Sequence, residues 1–538
     1  MDTLFRGDAD RYKNEIRMHK EMNLNLIRVW GGGLIERPEF YEACDELGIM
    51  VMQEFWFSSE FKYNDSQIPE SYKTAFTKCA TDTILMLRNH ASLLFWCAAN
   101  ESEPPQSLLT ELESYIGEKE EALYDTTRLL VHNSLDINGY PGKDGPYGIL
   151  EVNNYFKWLP GPKTFTNSFN PEIGSLGIPP VESIQKMIRP ENLTPVPGKY
   201  AVFKESGANY PVVNESWHQL KYSQYMINYN VQEPSDQIYT YGTPKDIEGY
   251  CERAQLASYL HYKELWEGYL THMWDWYTGL IIWKSQGSWT GVRAKLYDWF
   301  LEQNGGFWGV KAACEPIHIQ LNLENYPTGT IYDVNVVNHT SQELKNLSLH
   351  WEVYDVKGSI DSKTIPAKTE DGTNIAHKSS TTSIGTLDIS KLLTSLSSNL
   401  YFVILTLENG QNTSSRNFYW LSKTGDYLAL DSYKTPPLTS TAKGHKSTSG
   451  AYILQTTFKN NADQISFWNR LQIRKPKKVD EDARVLPVFY EKNYFSLASQ
   501  KQQSIAIEFQ HDTKEGTPEL WIKGWNQEWI QIPIDWGK

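Results

Sequence analysis

Two stretches of this 538-residue chain end on glutamates in settings that suit acid–base or nucleophilic chemistry. In LLFWCAANESEPP, residues 93–105, five apolar or aromatic residues lead through Ala98 and Ala99 into Asn100 and Glu101, and Pro104 and Pro105 follow. In FTNSFNPE, residues 165–172, a second segment reaches Glu172 and continues as IGSLGIPP. A glutamate at a strand end is usually only solvated, and Glu103, past the end of the first run, is read that way or as a supporting residue. Two at the ends of different strands of one parallel barrel, however, suit glycoside hydrolysis. That reaction needs a protonated acid on the leaving oxygen and an ionised carboxylate near the anomeric carbon. Position alone leaves open which glutamate does which.

The elements that must hold these residues alternate. The run from Leu93 reads as a strand buried on both faces, the kind that ends at the active face of an α/β barrel. Before it come a helix over 10–22, a buried strand at 24–30 stopped by Gly31-Gly32-Gly33, a helix at 37–47 stopped by Gly48, an apolar strand at 49–55 and a helix at 70–88. After it come a helix at 106–123, a strand near 129–131, and loops rich in Gly, Pro and Asn over 135–170. A long helix at 244–268, a short strand at 280–283 and a helix near 293–303 ending at Gly305-Gly306 complete this part. The three glycines are no phosphate loop, because no GK[ST] follows. Strand and helix in turn, with runs buried on both faces, predict a parallel α/β domain over 1–314. From 315 the period changes to two. Alternating strands such as IHIQLNL, LSLHWEVYDV and YFVILTLENG predict a β-sandwich at 315–422 and a second at 423–538, with 435–451 as a long loop or linker.

Composition narrows the function. The formal net charge of −14 argues against nucleic acid as a partner, since phosphate binding wants a basic face. Aromatics make up 13% of the chain, 19 of them Trp, which suits either sugar stacking or large β cores. Five widely spaced cysteines without CxxC spacing argue against a disulfide framework or a zinc knuckle, and no cofactor or metal is expected. No apolar run reaches membrane-spanning length, so no membrane partner is expected. The first residues are charged and do not read as a secretory leader, and the compartment stays open.

The runs NLIRVWGGGLIERPEFYEACDELGIMVMQEFWF, RNHASLLFWCAANESEPP, FNPEIGSLGIP and CEPIHIQLNL together resemble glycoside hydrolase family 2, and within it the endo-acting members of the β-mannosidase branch. The resemblance implies a TIM (β/α)8 barrel followed by two immunoglobulin-like sandwiches. It implies retaining hydrolysis of β-mannosidic linkages, foremost Manβ1-4GlcNAc of N-glycan cores, on an oligosaccharide or glycopeptide. It makes Glu101, after Asn100, the acid/base and Glu172 the nucleophile. On that basis Phe95, Trp96 and loop aromatics would help keep Glu101 protonated, Asn100 would bond the sugar 2-hydroxyl, and Arg28 would keep Glu172 ionised. Trp30, Trp56 and Trp283 are candidate pocket walls, with core packing as the alternative. Glu54 and Gln286 are candidates for binding hydroxyls, and Tyr155 for donating to the nucleophile. Members of the family carry sugar-binding domains before the barrel, and the first barrel strand falls before residue 1. The sequence therefore also fits a subunit that needs an N-terminal sugar-binding half, or an inactive fragment. Exo-β-mannosidase and exo-β-D-glucosaminidase are the further alternatives. The glucosaminidase branch has Asp where Glu101 stands.

Overall fold

The computed structural model describes residues 7–58, 64–117, 122–137, 140–141, 145, 150–157, 169–174, 177–198, 234–275, 277–285, 290, 296–410, 412–476 and 482–537. The chain divides into two compact units. The first comprises Met1–Tyr147, Trp158–Gly174 and Trp274–Lys284; the second comprises Gly148–Lys157, Ser175–Met273 and Ser285–Lys538.

The first unit is built on parallel strands. β1 (Leu26–Val29), β2 (Met50–Glu54), β3 (Leu93–Cys97) and β4 (Leu130–Val131) lie side by side in that order. β5 (Phe169–Ile173) and β6 (Gly279–Ile282) form a further parallel pair, and β6 approaches β1. Between the strands run α1 (Ala9–Glu21), α2 (Pro38–Leu47), α3 (Glu70–Leu87) and α4 (Gln106–Tyr115). Their ends follow local chemistry. Asp8 caps α1 through Arg11 N at 2.8 Å, Pro38 opens α2, and Gly48 closes α2 in the left-handed region at φ 75°. Helix α4 stops at Tyr115 rather than near 123, because Ile116 turns extended (φ −132°).

Strand periodicity gives the sheet two apolar faces. Val29, Val51 and Trp96 join Phe40, Phe76 and Leu112 in a large core against the helices. Met52, Cys97 and Val131 form a smaller cluster on the other face, with Leu26, Phe95 and Ile281 packed on it. Continuous apolar runs are what a sheet covered on both faces requires, although Leu94, at 45% exposure, breaks the pattern in β3.

The second unit holds α5 (Val181–Met187), α6 (Ile247–Thr271) and α7 (Gly305–Ala313), followed by antiparallel sheets. Residues 296–303, expected as helix, are not helical, and Gly305-Gly306 begins a helix instead of ending one. Asn304 is the reason: its side chain accepts from Phe307 N at 3.3 Å and caps α7. The glycine serves close packing, since a Cβ on Gly305 would stand 2.0 Å from the Gln255 carbonyl oxygen of α6. Helix α6 is buried on nearly every side, and Glu267 is its best-partnered polar group. Glu267 accepts from Lys263 at 2.8 Å, from His318 at 2.9 Å, from Asn417 at 2.8 Å and from Tyr419 at 3.0 Å.

Ile317–Leu321, Ile331–Asn338 and Ser380–Asp388 make one sheet of the first sandwich; Leu347–Asp355, Gly358–Pro366, Leu400–Asn409 and Asn412–Ser422 make the other. The second sandwich has a five-stranded and a four-stranded sheet. One of its strands is Thr439–Lys446, inside the segment expected as a linker. Its full antiparallel ladder with Tyr452–Lys459 overrides its loop-like composition, with Ala442 and Gly444 turned inward.

Candidate active site

The inward positions of β1, β2 and β6 are Leu26 and Arg28, Met52 and Glu54, and Ile281 followed by Trp283. The period of two thus sets Arg28, Glu54 and Trp283 above the Met52–Cys97–Val131 cluster. Arg28 is the hub. Its Nε donates to Glu54 Oε1 at 2.7 Å, its Nη1 to Glu172 Oε2 at 3.0 Å and to the Pro171 carbonyl at 2.8 Å, and its Nη2 to Asn100 Oδ1. One guanidinium thereby ties the ends of β2, β3 and β5 together. Its side chain is only 2% exposed, and those of Glu54 and Glu172 are 0% and 4%. Burial works against the Arg28 charge, but Glu54 and then Glu172 outweigh it and push its pKa up, so it stays protonated. Burial also pushes the Cys97 thiol well up.

Each site backbone is pinned. Past β3, Ala98 N bonds Val131 O (2.8 Å), Ser134 N bonds Ala99 O (2.9 Å), and Asn100 N bonds Phe57 O (2.8 Å). Glu101 N then donates to Ser134 Oγ at 3.0 Å, and Glu101 itself sits at φ 50°, in the left-handed region that a side chain adopts at a cost. The segment is thus held alternately from the β2 side and the β4 side. Glu103 accepts from Asn133 Nδ2 at 2.7 Å, a supporting place. At β5, Asn170 Oδ1 accepts from Glu172 N at 3.0 Å, and Gly145 N donates to Glu172 O at 2.6 Å. Glu54 Oε2 accepts from Gly31 N at 2.7 Å. A Cβ on Gly31 would meet Phe55 O at 2.1 Å, so the close approach demands glycine there.

The structure sorts the expected aromatics. Trp30 and Trp283 meet edge to face at 5.1 Å, with Arg28 5.9 Å from the Trp283 ring. The Trp30 indole N–H is buried without a partner among the described residues. Trp56 instead packs on Phe55 and Phe76 in the helix-side core, at 6.0 and 6.1 Å, so its place is that of a core residue. Trp96 also lies there, stacked on Phe55 at 5.5 Å and donating to Asp125 at 2.9 Å, and is not a neighbour that would shape Glu101. Tyr155 belongs to the second unit, where its hydroxyl bonds His261 Nδ1 at 2.6 Å and accepts from Leu150 N at 2.8 Å. These contacts give no support to Tyr155 as donor to the nucleophile. Gln286 lies outside the described residues.

Sequence reasoning missed Ser134, Asn170 and Lys284. The Lys284 ammonium stands 4.5 Å from the Trp283 ring and 5.2 Å from that of Trp30. Its only signal was its place just beyond the last short strand. Ser134 and Asn170 act through backbone groups, which leave no pattern in a sequence.

Comparison with known proteins bears on the family and the fold. Residues 8–138 match the model of the glycosyl hydrolases family 2 TIM barrel domain. Residues 330–425 match a mannosidase Ig/CBM-like domain and 417–527 an exo-beta-D-glucosaminidase Ig-fold domain. The fold is accordingly a TIM barrel domain followed by two immunoglobulin-like domains. The chain is 33% identical to mannosylglycoprotein endo-beta-mannosidase of Lilium longiflorum, over 98% of this chain and 62% of that protein. It is 23% identical to exo-beta-D-glucosaminidase of Streptomyces avermitilis, over 99% and 59%. It therefore spans about three fifths of the length of these relatives. Among solved structures, Amycolatopsis orientalis exo-chitosanase superposes with a TM-score of 0.80 at 20% identity, over 98% of this chain and 62% of that one. Beta-D-mannosidase from Dictyoglomus thermophilum superposes at 0.66 and 19%, over 98% and 59%. Among the described residues no helix is long and apolar enough to cross a membrane.

Proposed function

The chain belongs to glycoside hydrolase family 2, and from that premise we propose that it is the catalytic part of a retaining β-mannosidase acting on Manβ1-4GlcNAc linkages of N-glycan cores. The observation that carries this reading is the Arg28 fork, which gathers Glu172, Glu54 and Asn100 around the strand end that bears Glu101.

In this mechanism Glu101 protonates the glycosidic oxygen while Glu172 attacks the anomeric carbon. The C–O bond to the leaving sugar breaks and a glycosyl ester forms on Glu172. Arg28 keeps the attacking carboxylate ionised beforehand. When the ester forms, the Glu172 charge is consumed and Glu101, now deprotonated, takes a proton from water. The water's oxygen attacks the same carbon and releases sugar with retained configuration. Asn100 has a defined orientation. Arg28 can only donate, so the amide oxygen faces it and Nδ2 points elsewhere, as a donor for the sugar 2-hydroxyl. That bond gains strength as positive charge builds on the ring. Trp30, Trp283 and Lys284 supply the wall beside it.

Two substrate choices compete, each with a specific observation. Identity to the endo-mannosidase favours mannoside, as does a glutamate at 101. The match of 417–527 to a glucosaminidase Ig-fold domain favours glucosaminide. The deciding experiment compares hydrolysis of p-nitrophenyl β-mannoside, p-nitrophenyl β-glucosaminide and a Manβ1-4GlcNAc glycopeptide. Each is tested with the chain alone and with an added N-terminal sugar-binding half, the partner this reading includes. We expect cleavage of the mannosides, with the β-anomer of mannose appearing first by NMR. Faster cleavage of glucosaminide, or the α-anomer first, overturns the mannosidase or the retaining mechanism respectively.

A further inference from the structure

The two glutamates of the reaction are held in opposite ways. Glu172 is fixed by its carboxylate, which Arg28 Nη1 reaches at 3.0 Å. Glu101 is fixed by its backbone, its N–H donating to Ser134 Oγ at 3.0 Å, while among the described residues its half-buried carboxyl has no hydrogen-bond partner. The contrast has a chemical reason. Donors on a carboxylate favour its ionised form. That suits a nucleophile, which must arrive charged, and works against an acid, which must arrive protonated. An acid is better aimed through its main chain.

That aim needs enforcement, because Glu101 stands at φ 50°, and a side chain stays in that region only where the surrounding structure over-determines it. Two adjacent buried residues just past β4, Asn133 and Ser134, do so. Ser134 accepts the Glu101 N–H on Oγ and donates its own N–H to Ala99 O at 2.9 Å. Asn133 has its amide turned by Leu135, whose N–H donates to Oδ1 at 2.8 Å. Nδ2 is thereby left to donate to Glu103 at 2.7 Å. The turn is gripped at Ala99, Glu101 and Glu103 in succession, and the buried Pro104 and Pro105 follow.

On the reading of Glu101 as the acid/base, we propose that Asn133 and Ser134 are positioning residues for the acid step. They form a two-point clamp that keeps Glu101 in its left-handed backbone and so aims its proton at the leaving oxygen. Neither touches substrate. Their loss therefore weakens proton delivery and leaves the attack by Glu172 in place.

The test varies the leaving group, with the chain alone and with the N-terminal sugar-binding half added. The GlcNAc of a Manβ1-4GlcNAc glycopeptide leaves with the proton that Glu101 gives its oxygen, whereas 2,4-dinitrophenolate leaves as an anion and needs none. In Ser134→Ala, kcat/KM on the glycopeptide should fall about tenfold to hundredfold, while that on 2,4-dinitrophenyl β-mannoside holds within about twofold. Asn133→Ala, which keeps the Ser134 bond, should show the same split at about threefold to tenfold. It decides alone should Ser134→Ala fail to fold. Equal losses on both leaving groups, or none on either, overturn the clamp. Chitosan disaccharide and 2,4-dinitrophenyl β-glucosaminide are run beside the mannosides. Cleavage of these alone overturns the mannosidase reading, and the split between their leaving groups then decides the clamp. With no turnover of either sugar, the crystal structure of Ser134→Ala decides it. Glu101 relaxed to negative φ upholds the clamp, and Glu101 still near φ 50° overturns it.

Discussion

Two buried charge clusters in this molecule differ in which partner is saturated. In the second unit, Glu267 receives four donors, from Lys263, His318, Asn417 and Tyr419, and burial pushes the pKa of neighbouring Glu264 well up. There the carboxylate is the saturated partner. In the first unit the cation is the saturated partner. Arg28 spends its Nε and both Nη groups on Glu54, Glu172, Pro171 and Asn100. The guanidinium and both carboxylates it holds are almost wholly buried. The saturated carboxylate fastens a helix to a sandwich. The saturated guanidinium holds the ends of three parallel strands in one place.

The comparison breaks most sharply at the two glutamates. Glu172→Gln should lower kcat on p-nitrophenyl β-mannoside by about four orders of magnitude or more while the protein melts near the wild-type temperature, since the amide oxygen can still accept from Arg28. Glu267→Ala should do the reverse. It leaves Lys263 and His318 buried without their counter-charge, a loss of about 3–5 kcal/mol, read as a lower urea midpoint. The folded fraction should keep its specific activity. If Glu267→Ala abolishes turnover without lowering stability, the structural reading of that cluster is wrong.

Next in size is the glycine that closes the site. Gly31→Ala would drive a Cβ into the Phe55 carbonyl, which stands 2.1 Å away. The Gly31–Glu54 bond cannot survive that shift, so Glu54 and Arg28 lose their alignment. A fall of about a hundredfold in kcat/KM is expected, in keeping with small misplacements of catalytic groups. Gly48→Ala, with open space around its Cβ but a left-handed backbone, should cost stability and leave the kinetics alone.

These residues divide along the line between what a sequence can and cannot disclose. Arg28, Glu54, Asn100 and Glu172 sit at strand ends, and the resemblance of the runs that carry them to family 2 pointed to them. The strands themselves were legible because apolar runs announce burial. Three features were not. Thr439–Lys446 has the composition of a loop and is a strand, because its neighbour supplies a complete ladder. Gly305-Gly306 has the look of a helix stop and is a helix start, because Asn304 caps it and α6 needs the room. Ser134 and Asn170 bind the backbones of Glu101 and Glu172, contacts that depend on tertiary placement alone.

Acidity separates the clusters more gently. Burial alone would raise the Glu267 carboxyl, but Lys263 and then His318 hold it at about 2. Its contribution is present above the ordinary glutamate value of about 4.3 and is lost as pH falls toward 2. For His318, burial lowers the pKa, yet its bonds to Glu267 and Glu315 win and raise it. That contribution is full below about 6.5 and fades as pH climbs through the raised value. The melting temperature of wild type minus that of His318→Gln should therefore be largest near pH 5–6 and shrink on the alkaline side. A difference that grows above pH 7 would mean that His318 is neutral in the fold.

The smallest effect tests the aromatics. Trp30 and Trp56 occupy comparable positions, each just past a strand that carries a site residue. Trp30 meets Trp283 beside the Arg28 hub, whereas Trp56 packs on Phe55 and Phe76 among the helices. Trp56→Phe keeps an aromatic ring in that core and removes only part of its volume, so about 1–2 kcal/mol of stability should go and KM should hold within about twofold. Trp30→Phe removes a buried indole N–H that no described residue receives, so stability should barely change. If that N–H serves a sugar hydroxyl, its loss raises KM or lowers kcat by about the worth of one hydrogen bond, threefold to tenfold. Equal kinetic losses in the two variants would return Trp56 to the pocket wall and contradict the packing that assigns it to the core.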